Sequence, residues 1–179
     1  MDTPIEPTGR LTAIGNQLID IHLSLREELA RLREDTDARL DGNGNGNGHG
    51  NGHGNGHGER PGGLRAHCLA FCSAVSRHHT GEDAGAFPAL AELHPELRPV
   101  LDELGRDHHI VAGILRALEE LLAGSPQDAG PADAARVRFE LDGLAALLES
   151  HFFYEEKKLV AALNALPEGA GTAETLLGG

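Results

Sequence analysis

Residues 137–156, VRFELDGLAALLESHFFYEE, decide the fold. Counting back from His151 by 3, 7, 10 and 14 positions gives Leu148, Leu144, Leu141 and Val137. Those offsets trace one face of an α-helix, so His151 and the Glu155 four residues on point the same way as the leucines. The same steps back from His78, in HHTGED at 78–83, lead to Val75, Phe71, Cys68 and Leu64, and Glu82 follows at +4. Each His-x-x-x-Glu thus rides the apolar stripe of a predicted helix. A carboxylate driven inward with no basic residue on its stripe is costly unless a metal ion or a proton neutralises it. The pattern calls for a ligand.

Two further helices carry one inward histidine each. His22 follows Leu18 and precedes Leu25, Leu29 and Leu32 at helical offsets; His108 follows Leu104 and precedes Val111, Leu115 and Leu118 at the same offsets. The chain therefore reads as two helix pairs, each giving a lone His and then a His-x-x-x-Glu. Helix one is expected from about Leu11 to Leu40 and helix two from Pro61 through HHTGED, loosening near Pro88. Helix three runs from near Pro99 to Ala123 and helix four from about Ala132 to Leu166. From His22 to the end of helix one is 18 residues, and from Pro61 to His78 is 17. At 1.5 Å per residue both histidines lie about 26 Å from the turn between them. The fold class expected is all-α, an antiparallel up-down-up-down four-helix bundle with four His and two Glu in one layer.

Between the first two helices lies GNGNGNGHGNGHGNGHG, residues 42–58, which can bury nothing and is expected to be a disordered, flexible Gly/Asn/His loop. His22 to His78 spans 56 residues and His108 to His151 spans 43, so the tract reads as an insertion into one half of a repeat. His49, His53 and His57 within it have nothing to preorganise them for metal capture. The whole chain, 1–179, reads as one domain with its core at about 11–166 and a flexible tail at 167–179.

Composition excludes several classes. A formal charge of −13 argues against nucleic acid and anionic membrane surfaces. Aromatics make up 3 %, so Leu, Ala and Val must pack the core, and no alternating β-branched runs support strands. No apolar run is long enough to span a membrane. MDTPIEPTGR has neither basic n-region nor apolar h-region, and Cys68 and Cys72, four apart on one helix, make an awkward disulfide; a cytoplasmic protein is expected.

Imidazole nitrogen with carboxylate oxygen, and no thiolate, suits iron or manganese better than structural zinc. Six ligands are too many for one metal and too few to saturate two. If both carboxylates bridge, each metal receives two His nitrogens and two Glu oxygens and keeps positions open, as a redox-active dinuclear site requires. The Glu-x-x-His pattern of ferritin-type bundles does not occur.

On IHLSLREELARL (21–32), HHTGEDAGAFPAL (78–90), DHHIVAGIL (107–115) and HFFYEEKKL (151–159), the chain resembles the hemerythrin-like, or HHE cation-binding, family. The resemblance covers about Leu11 to Leu166. It implies an antiparallel four-helix bundle around two non-haem iron ions with an oxo or hydroxo bridge, manganese being the alternative. His22, His78, His108 and His151 correspond to terminal ligands, and Glu82 and Glu155 to bridging carboxylates. Oxygen-carrying members have a further His four residues beyond the third-helix ligand, where this chain has Ala112, and an Asp five residues after the last His, where it has Glu156. Reversible oxygen carriage is thereby put in doubt. His79, Asp83 and Glu156 are the candidates to fill the gap or to form outer contacts, His79 first, and Tyr154 and His109 are candidate proton relays. The resemblance implies a diiron oxidoreductase acting on O2 or H2O2, of catalase, peroxidase or oxidase type. The alternatives are a module that binds or senses O2, NO or iron without turnover, and metal storage.

Overall fold

The computed structural model describes residues 13–42, 62–124 and 131–178. All regular structure among them is helical, and no helix there is long and apolar enough to cross a membrane. Four long helices form the body: α1 (Ile14–Gly42), α2 (Gly62–Gly81), α4 (Arg98–Gly124) and α5 (Pro131–Asn164). A π-helical turn, Glu82–Ala86, joins α2 to α3 (Phe87–Leu93), and a 3-10 turn, Pro95–Leu97, leads into α4. A short α6 (Ala173–Leu177) follows α5. The expected Gly/Asn/His loop lies, Gly42 apart, outside the described residues.

The predicted stripes are the buried faces. Leu18, Leu25, Leu29 and Leu32 on α1, Val75, Phe71 and Cys68 on α2, Leu104, Val111, Leu115 and Leu118 on α4, and Val137, Leu141, Leu144 and Leu148 on α5 are all buried. Two apolar clusters result. One gathers Leu25, Leu29, Leu32, Cys68, Phe71, Leu115, Leu118, Leu141 and Leu144; the other gathers Leu18, Phe87, Leu90, Leu101, Leu104, Leu159 and Leu163. The histidines and glutamates lie in a polar layer between these two plugs. At roughly 1.5–3 kcal/mol for each buried large apolar side chain, the plugs can carry a layer that is itself expensive to bury.

Particular contacts bring the helices close. Gly15 at the start of α1 donates its N–H to Asn164 Oδ1 at the end of α5 (2.8 Å), and a Cβ at Gly15 would lie 2.5 Å from the Val160 carbonyl. Arg138 near the start of α5 pairs with Asp37 near the end of α1 (2.9 Å). His67 of α2 reaches Glu28 (2.8 Å) and Asp35 (3.3 Å) of α1.

Two expectations need correction. Helix two does not loosen at Pro88; the chain stays helical to Leu93. Proline has no N–H to give and its ring crowds the carbonyl four residues back. The wider π turn, closed by the Phe87 N–H on the Glu82 carbonyl, absorbs that demand just before Pro88. Nor, among the described residues, is 167–178 a loose tail. Thr172 caps α6 through a reciprocal capping box with Thr175, and Leu176 and Leu177 are buried in the second apolar cluster. Two buried apolar side chains and a cap hold a short helix, AETLL, in a segment whose flanking glycines made it look featureless.

Candidate metal centre

Every inward histidine and glutamate named from the sequence arrives in one layer. His22, His78, Glu82, His108, His151 and Glu155 are all at most 3 % exposed, and His79 is 5 % exposed. Two groups have donor atoms within 4.8 Å of one another: His22, His78, Glu82 and Glu155, and His79, His108 and His151. The carboxylates face both groups. Glu82 turns Oε1 toward His78 Nε2 (3.3 Å) and Oε2 toward His108 Nε2 (3.5 Å). Glu155 Oε2 lies 3.4 Å from His22 Nε2 and 3.6 Å from His151 Nε2.

The outward ring nitrogens fix which face of each imidazole looks inward. His78 Nδ1 donates to the Leu177 carbonyl (2.9 Å), which can only accept. His22 Nδ1 donates to Glu156 (2.9 Å), His108 Nδ1 to Asp83 (2.9 Å) and His151 Nδ1 to Asp107 (3.3 Å). With the proton held on Nδ1, each Nε2 presents a lone pair to the layer. His22 Nε2 and His78 Nε2 then face each other at 3.0 Å. Two lone pairs at that separation repel, so a cation belongs between them, a proton or a metal ion.

The rest of the layer makes the same demand. The Nε2 atoms of His79, His108 and His151 and both oxygens of Glu82 and of Glu155 are buried with no hydrogen-bond partner. Seven orphaned inward donor atoms, in a protein where buried polar groups are normally satisfied, fit a metal centre. Electrostatics agree. Burial, then the charge of its neighbour His22, pushes His78 down to about 4, and burial lowers His79 and His151 as well. In His78, His79 and His151 burial thus favours the neutral imidazole, the form that ligates. Burial and then the Glu155 charge raise Glu82 well above the ordinary range. Burial also pushes Glu155 upward, but His22, His151 and His78 outweigh it and bring Glu155 below its usual value. The two carboxyls are thus driven apart, Glu82 upward and Glu155 downward, and a bound cation would favour ionisation of both.

The secondary candidates sort cleanly. His79 joins the layer: its ring stacks on His108 (centroids 4.0 Å, 8° between planes), beside Ala112. Asp83 and Glu156 sit behind the layer, on the Nδ1 atoms of His108 and His22, rather than inside it. Tyr154 does not face the layer; its hydroxyl donates to Glu103 on α4 (2.8 Å), which raises its pKa. His109 is exposed, bound to the Gly105 carbonyl (2.6 Å), at the rim of a cavity of about 140 Å³ lined also by Ser76, His79, Thr80, His108 and Ala112.

Three participants escaped the sequence reading: Asp107, the Leu177 carbonyl and Phe152, whose ring stacks on His22 (4.0 Å, 16°). For Asp107 a signal existed. Asp83, Asp107 and Glu156 each directly follow or precede an inward residue, and each serves a histidine on a different helix. A carboxylate beside an inward residue in sequence reaches an inward histidine of another helix in space.

The sequence profile of the hemerythrin HHE cation-binding domain matches residues 14–163. No curated protein and no solved structure is similar enough to count as a match.

Proposed function

The chain belongs to the hemerythrin HHE cation-binding domain family, and on that premise we propose that it is a non-haem diiron protein that reacts with hydrogen peroxide or O2. His22 and His78 would hold one metal and His79, His108 and His151 the other, with Glu82 and Glu155 available to both. The observation that carries the reading is the pair of shared carboxylates, each facing histidines of both groups and each with no other partner. Contacts such as Gly15 with Asn164 and Arg138 with Asp37 support an up-down-up-down arrangement of α1, α2, α4 and α5 around it.

Two irons held there supply one-electron redox chemistry toward O2 or peroxide. The chain's own residues do the rest. Counting one oxygen from each carboxylate, the first position would have four protein donors and the second five. Asp83, Asp107, Glu156 and the Leu177 carbonyl hold the imidazoles in one tautomer and orientation. Phe152, Val75 and Leu18, all buried, exclude water around His22 and His78. The 140 Å³ cavity reaches His79 and His108 from outside and has room for a diatomic or peroxide-sized guest. His109 and Thr80 at its rim are placed to exchange protons with solvent. The reading also makes the protein cytoplasmic, in line with Cys68 and Cys72 remaining thiols.

The test is a known dose of peroxide added repeatedly to anaerobically iron-loaded protein, with residual peroxide measured. Repeated consumption is expected. A stable spectral change without consumption would replace the enzyme by a module that binds O2 or NO, and iron uptake far above two per chain would favour storage.

A further inference from the structure

The outer contacts of the histidine layer follow a rota with one break. The π turn after α2 gives Asp83 to His108 of α4; α4 gives Asp107 to His151 of α5; α5 gives Glu156 to His22 of α1. By the same rule α1 should serve His78 of α2. The neighbours of His22 are Ile21 and Leu23, which have nothing to offer. The place is taken by the Leu177 carbonyl, from a segment beyond the family-matched residues 14–163.

That segment is built to dock there. A Cβ at Gly81 would collide with the Gly178 backbone, and one at Gly85 with the Thr175 carbonyl, so both glycines are required for the segment to lie against the π turn. Gly178 closes α6 at φ +66°, a conformation that side chains disfavour, with no room for a Cβ against the Arg77 carbonyl. Arg77 Nε donates to the Gly178 carbonyl (3.1 Å), and Leu176 and Leu177 are buried beneath. The docking is specific at both ends, and its product is one carbonyl aimed at His78.

We propose that residues 172–178 form a positioning strap for the metal centre, with the Leu177 carbonyl fixing the tautomer and ring orientation of His78. The inference rests on the diiron reading for its consequence, though the contact stands without it. The strap governs the His22/His78 position alone, because His108 and His151 take their outer contacts from Asp83 and Asp107. A neutral carbonyl also pulls the Nδ1 proton less than a carboxylate does, which leaves His78 the least electron-donating of the four.

The test uses full-length protein and the variant Gly178→Val, whose side chain is disfavoured at that φ and meets the Arg77 carbonyl while every ligand stays in place. Long-range proton–nitrogen spectra of the metal-free, ¹⁵N-histidine-labelled proteins read each tautomer directly. Anaerobic Fe(II) titration reads the two positions separately. The expected result is loss of the Nδ1–H form at His78 only, with one of two Fe(II) equivalents weakened about 10–100-fold. An unchanged His78 with two unchanged equivalents overturns the proposal. So does a loss of both equivalents with all ligand histidines shifting together, which would mean that the strap merely holds the fold. If the parent protein binds no Fe(II), the diiron reading fails, and the His78 tautomer in the variant still decides for or against the strap.

Discussion

Replacing Glu82 by Met should stabilise the metal-free protein and destabilise the iron-loaded one. Glu82 is fully buried, and both its oxygens lack partners. Even when its raised pKa keeps a proton on it and that proton is given to Glu155, one oxygen stays orphaned. A buried unsatisfied group costs about 1–3 kcal/mol. Methionine has a similar length, no polar atom and flexible torsions, so it fills the same space and removes that cost. For a domain of this size each kcal/mol moves Tm by about 2–4 °C, so the metal-free variant should melt about 2–12 °C higher. With iron the order reverses. A ligand at 100 times its Kd adds about 2.7 kcal/mol to the native state, and the variant loses the bridge on which that gain depends. The assay is thermal unfolding by circular dichroism, in EDTA and again in anaerobic Fe(II). A variant less stable than the parent in both conditions would refute the claim that Glu82 is held inward at a cost for the sake of a metal.

Ala112→Phe should close the small cavity and lower the affinity or entry rate of azide, a small anionic probe, at least about tenfold, or about 1.4 kcal/mol, with metal content unchanged; optical titration of the iron-loaded protein checks it. Gly15→Ala should cost about 1–3 kcal/mol in urea unfolding, because its Cβ would be forced against the Val160 carbonyl of α5; an unchanged midpoint would mean that α1 and α5 can separate freely there. Burial, then the proximity of Cys68 and Glu119, pushes the Cys72 thiol up to about 12 from an ordinary value of 9.0. Native protein at pH 8 should therefore leave Cys72 unreacted with a thiol-specific disulfide reagent, while unfolded protein reacts at both cysteines. The sign for stability follows: the contribution of this thiol is complete below pH 9, where both states are protonated, and is lost as pH rises toward 12.

Much of the architecture was legible because helical periodicity and burial are the same fact seen twice. The stripe Leu104, His108, Val111, Leu115, Leu118 was read from its spacing, and every member is buried. Glu82 and Glu155 stood out because a carboxylate in such a stripe contradicts its surroundings. What was not legible depends on contacts between distant segments. Asp107 and His151 are 44 residues apart, and Leu177 meets His78 through a backbone carbonyl, which has no signature in side-chain sequence. The strap was hidden by the glycines that permit it, since Gly169, Gly171 and Gly178 look like disorder until a docking surface is known. Pro88 misled for a related reason: proline usually ends a helix, and only the π turn shows how this one continues.

The claim on which everything rests is that the layer holds two metal ions joined by Glu82 and Glu155. Iron per chain, measured after anaerobic loading and gel filtration on the parent and on Glu155→Gln, tests it most directly. Two irons per chain in the parent, and a loss at both positions in the variant because the bridge serves both, is the predicted result. One iron or none in the parent, or a variant that keeps its full complement, would contradict the account.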